Sequence, residues 1–106
     1  MGDRKHSELY STLLAFLEQH GRAALEGVAE RGMPADRALE FIGLLEANRV
    51  PLYGLEVWRS RPAGHDLDAT SIWYCSTSQH HQYREAREGL RLAKPGPSDL
   101  VAVQFG

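Results

Sequence analysis

An α+β domain, with N-terminal helices packed on a small, mainly antiparallel three-stranded sheet, is the fold this sequence predicts. Three observations predict it. The first half of the chain repeats apolar residues at helical spacing, and after Pro51 it turns to short runs rich in aromatic and β-branched residues. A further helical stretch then separates the last such run from its predecessors. The resulting order is ααα-ββ-α-β within residues 1–106, read as one domain because 106 residues make one core and are too few for two.

Each element has a local reason. Ser7 is placed to cap a first helix whose Leu9, Leu13, Phe16 and Leu17 recur on one side, and Gly21 is placed to end it. A shorter second helix is expected to turn Ala24, Leu25 and Val28 inward and to stop at Gly32. Pro34 suits the first turn of a third, where its missing N–H costs nothing, and Asp36 favours the positive end of the helix dipole. Its buried stripe is Ala38, Phe41, Ile42 and Leu45, and Asn48 with Pro51 ends it.

The second half reads as "PLYGLEVWR", a strand; "SRPAGHDLDAT", a loop; and "SIWYC", a strand antiparallel to the first. Ser76 and Gln79 have the spacing of a capping box, which opens a helix from about Ser78 to Ala93 burying Tyr83, Ala86 and Leu90. "KPGP" is a turn, and "DLVAVQF" is a closing strand with Val101, Val103 and Phe105 on one face. A strand of that kind at a sheet edge would pair with its copy; a monomer is the preferred reading.

Charge and composition exclude several functions. Basic and acidic residues are mixed along the chain and the net charge is −2, so no phosphate-gripping face and no polybasic membrane segment is present. No apolar run reaches the ~20 residues a membrane span needs. The opening "MGDRKHSELY" lacks the apolar core of a secretory signal, and a lone cysteine makes no internal disulfide. A cytoplasmic protein that binds neither nucleic acid nor membrane is expected.

The segment "SIWYCSTSQHHQY" holds Cys75, His80 and His81, which suggests a thiol nucleophile with a histidine base, or a metal site. Zinc wants four ligands with paired spacing, and adjacent histidines on a helix diverge, so no metal is expected. The preferred reading is a strand-to-helix junction with Cys75 as a small core residue; a Cys/His-dependent hydrolase or transferase is the alternative. The chain has no phosphate loop, no nucleophile elbow and no paired-histidine motif, and no cofactor is expected.

The sheet carries the other unusual feature. Alternation in "YGLEVWR" puts Leu55 and Val57 on one face and Gly54, Glu56 and Trp58 on the other. A partly exposed tryptophan, Trp58 or Trp73, beside Glu56, with Asp66 and Asp68 on the adjoining loop, would make an aromatic anchor ringed by acids, as protein interfaces use. The competing reading buries both tryptophans and leaves the two aspartates solvating a loop.

The segment "ALEFIGLLEANRVPLYGLEVWR", followed by "SIWYC", a polar capped helix and an apolar strand, resembles small immunity proteins of bacterial polymorphic toxin systems. Gly54, Glu56, Val57 and Trp58 are similar to that family's Gly-Gly-Asp-Val-Tyr-like strand, with Leu55 in place of its second glycine. Trp73 and Tyr74 are similar to its Asn-Trp-Tyr-like strand. The resemblance covers roughly the second two-thirds of the chain. It implies a non-catalytic antitoxin that binds a cognate toxin domain and blocks it; the residues expected to form the binding patch are those read from the sheet, Trp58 or Trp73 with Glu56, Asp66 or Asp68.

Overall fold

The computed structural model of the protein describes residues 2–23, 31–74 and 81–106. The elements are α1 (Gly2–His20), β1 (Arg22–Ala23), β2 (Arg31–Met33), α2 (Ala35–Ala47), β3 (Leu52–Arg61), β4 (Gly64–Tyr74), α3 (Gln82–Ala93) and β5 (Leu100–Phe105). The class is α+β, as the sequence predicts, but the sheet has five antiparallel-paired strands in the order β1-β2-β5-β3-β4.

Two expectations fail here, the helix stop at Gly32 and the loop 60–70. The second helix expected to bury Ala24, Leu25 and Val28 falls on residues 24–30, outside the described residues, and the segments flanking them are paired strands, Arg22 opposite Gly32 and Ala23 opposite Arg31. Gly32 is therefore a strand residue, not a helix stop: a Cβ there would stand 2.6 Å from Cβ of Leu100 on β5, so glycine permits the close approach of β2. The expected loop 60–70 is the second failure. It is the tip of a long β3–β4 hairpin closed by a two-residue turn at Pro62 and Ala63, with Arg61 opposite Gly64. Gly64 takes φ 137°, a conformation that side chains resist.

The closing strand is not at an edge. β5 lies between β2 and β3, pairing Gly32 with Ala102 on one side and Glu56 with Ala102 on the other. At those positions both of its sides are taken, so β5 is not the edge strand that would pair with a copy there.

The helices supply one face. α2 runs from an N-cap at Pro34 to a C-cap at Asn48 and buries Ala38, Phe41, Ile42 and Leu45, the predicted stripe. α3 buries Tyr83, Ala86 and Leu90 as predicted, together with Gln82 and Gly89. These residues join Leu13, Met33, Leu55, Val57 and Val101 in the main core. Gln82 is buried because its Oε1 accepts the Leu52 backbone N–H at 2.7 Å, and the Tyr83 hydroxyl donates to Val50 O at 2.7 Å. Both bonds fasten the start of α3 to the entry of β3. α1 already runs through Ser7, so that residue is not its cap; Gly21 N–H closes on Leu17 O at 2.6 Å. The pair Ser76 and Gln79 lies outside the described residues, and α3 as described has His81 at its N-cap.

Candidate partner-binding face

Register decides which side chains share the face opposite the helices. Trp58 stands between Leu100 on β5 and Leu67 on β4, and Glu56 stands between Ala102 and Ile72. Their neighbours Leu55, Val57 and Val101 point into the main core, so Glu56, Trp58, Leu67, Ile72, Leu100 and Ala102 occupy the second face. Alternation in the sequence had put Glu56 and Trp58 together, and they are together. Trp58, Leu100 and Ala102 form a second, smaller apolar cluster. Trp58 is only 7% exposed, so it is the floor of this face and not the exposed anchor expected of it. Its indole N–H is buried and has no acceptor. Glu56 Oε1 accepts from Gln104 Nε2 at 2.8 Å, while Leu67 is 39% exposed and supplies the apolar surface that Trp58 does not.

The other three predicted residues are elsewhere. Trp73 is paired with Leu55 on the helix side and packs half-buried against α3, where a Cβ on Gly89 would come within 2.9 Å of its ring. Its role is packing. Asp66 is opposite Arg59 near the hairpin tip, with a largely exposed carboxylate 3.9 Å from Arg61. Asp68 is held inside a network centred on Arg59. The five residues therefore do not form one acid-ringed patch.

No protein-family model, characterised protein or solved structure matches this chain.

Arg59 is the residue that reading the sequence missed. Strand alternation sends it toward the helix side with Leu55 and Val57, where a guanidinium needs partners. It donates from Nε to Asp68 at 3.0 Å, from Nη1 to Asp99 at 3.1 Å, and from Nη2 to the Ala93 carbonyl at 2.7 Å and to Ser71 Oγ at 3.3 Å. The signal was available: a charged residue on the inward parity of a strand predicts a buried counter-charge. Thr70 Oγ1 is the largest influence holding the Asp68 carboxyl far below the ordinary range, followed by the Arg59 guanidinium. For Asp99, burial pushes the pKa up, but the N–H groups of Ser60 and Gly96 and then Arg59 outweigh it, so the net shift is downward. Arg59 is raised chiefly by its bond to Asp68. The bonds behind these shifts tie β3 to β4, to the end of α3 and to the approach of β5, which is what a structural clamp requires.

Of the Cys75, His80 and His81 group, the first two lie outside the described residues. His81 is exposed, and its Nδ1 is 2.7 Å from Arg84 Nη2. Among the described residues no three His, Cys, Asp or Glu side chains converge as metal ligands, and no described helix is long and apolar enough to cross a membrane.

Proposed function

We propose that this chain is a non-catalytic protein-binding module that acts in the cytoplasm by covering a toxin effector domain with the second face of its sheet. The observation that supports this reading is the composition of that face. Partly exposed Leu67 and Ile72 border the Trp58, Leu100 and Ala102 cluster, and the Glu56–Gln104 pair lies at its margin. The accessible apolar surface is that of Leu67 and Ile72, set on a floor of Trp58, Leu100 and Ala102 that is itself buried, and apolar side chains beside polar ones are the ordinary anatomy of a protein interface. The toxin as partner follows from the resemblance of the β3 and β4 sequences to immunity proteins. Asp66 and Arg61, exposed at the hairpin tip on the parity of Arg59, lie off this face and would affect the rate of encounter more than the final affinity.

The test is protection in living cells. The chain is co-expressed with toxin effector domains drawn from its source genome, and survival is scored. The parent chain should rescue growth. The double variant Leu67→Asp, Glu56→Lys should fold with an unchanged circular dichroism spectrum and fail to rescue. Full rescue by that variant would exclude this face, and no rescue by the parent would exclude the antitoxin role.

A further inference from the structure

We infer a second site, a groove between α1 and the α2–β3 connection that takes a small amphipathic anion carrying a carboxylate head and an apolar body. The site is separate from the proposed partner-binding face and does not depend on it. The groove has a volume of about 740 Å3, within the range of small-ligand pockets, and its apolar lining comes from Leu9, Leu13, Val50 and Pro51. Leu13 is fully buried and Leu9 and Val50 pack on the main core, so the apolar wall is fixed by the fold.

The polar end is Arg49. It sits one residue past the C-cap of α2, where the Arg49 N–H bonds Glu46 O at 3.1 Å and the Val50 N–H bonds Leu45 O at 2.9 Å. This closure needs the left-handed conformation, and Arg49 has φ 55°. Glycine is the usual occupant, because a side chain there is strained. Lys94 takes the same conformation after α3, and a cation at a helix C-terminus offsets part of that strain. Arg49 differs in lining a groove, and among the described residues its guanidinium has no carboxylate within salt-bridge distance. Arg49, held in a strained backbone conformation and with no salt-bridge partner among the described residues, lines an apolar groove, and a guanidinium is suited to a carboxylate, which it binds in a two-pronged fashion. Tyr10, 56% exposed on the same wall, offers a hydroxyl to the same head group.

The experiment is calorimetric titration of the full chain with decanoate and, separately, with decanol. Decanoate should bind at least about tenfold more tightly than decanol, because a charge-assisted bidentate pair is strong in a partly dry groove. Arg49→Gly should raise the melting temperature by about 4 °C by relieving the strained position, while reducing decanoate affinity about tenfold to the level of decanol. Arg49→Gln should lose the affinity without the stability gain. The inference is overturned if decanoate produces no saturable heat, if the two probes bind alike, or if either variant binds decanoate as tightly as the parent.

Discussion

Asp99 bonds the backbone N–H groups of Ser60 and Gly96 at 2.8 Å each while also accepting from Arg59, so one carboxylate joins the β5 approach to β3. Because the pKa values of Asp68 and Asp99 are both lower in the folded chain than in the unfolded one, the unfolded state binds protons first as pH falls. Their contribution to stability is complete above about pH 4, the ordinary carboxylate value, and is lost as pH drops through the folded values below it. Thermal melts between about pH 5 and pH 2 should therefore show a falling midpoint. In Asp99→Asn the fall should be shallower from a lower starting midpoint, since one of the linked protons is gone. An equal slope in parent and variant would mean that Asp99 is not part of the acid response. Neither aspartate's role was legible in the sequence, because a strand-to-strand ion pair becomes visible only when the register is known. Both "HDLDAT" and "KPGPSD" look like solvated turns when read alone.

Elements whose pattern had one dominant period were readable. The inward residues of α2 and α3 match the helical spacing of the sequence, since seven of them are buried where the 3.6-residue repeat puts them: Ala38, Phe41, Ile42, Leu45, Tyr83, Ala86 and Leu90. The β3–β4 hairpin was half readable. Its β3 strand alternates cleanly, but β4 changes register opposite Glu56–Trp58, and a polar, irregular strand is indistinguishable from a loop by composition. β2, three residues long and centred on glycine, has no periodicity at all. Gly89 shows how element packing overrides local preference. Alanine is the better helix former by about 1 kcal/mol, yet its Cβ would meet Trp73 Cδ2 at 2.9 Å and Cγ at 3.0 Å. Gly89→Ala should therefore destabilise by about 1–2 kcal/mol in a urea titration. Adding Trp73→Leu should reverse the sign of the alanine effect. Stabilisation by the single change would show that α3 is free to move off the sheet.

At the level of the whole molecule, the pairings that matter most join distant parts of the sequence. Gly32 meets Ala102, and Leu52 meets Phe105. Loops of that length must close before β5 gains any neighbour, so refolding by stopped flow should take milliseconds to seconds, not microseconds. A microsecond phase carrying the full amplitude would contradict this topology. The order in which a ribosome makes the chain adds a further constraint. β2, α2, the β3–β4 hairpin and α3 all emerge before β5, and during that interval β2 and β3 each have an unfilled side. A nascent chain thus carries two open strand edges and a half-covered apolar layer, the state in which strands of neighbouring molecules pair wrongly. The central strand, β5, is made after both strands it pairs with, so its arrival fills the gap between β2 and β3 and ends the period in which those two edges are open.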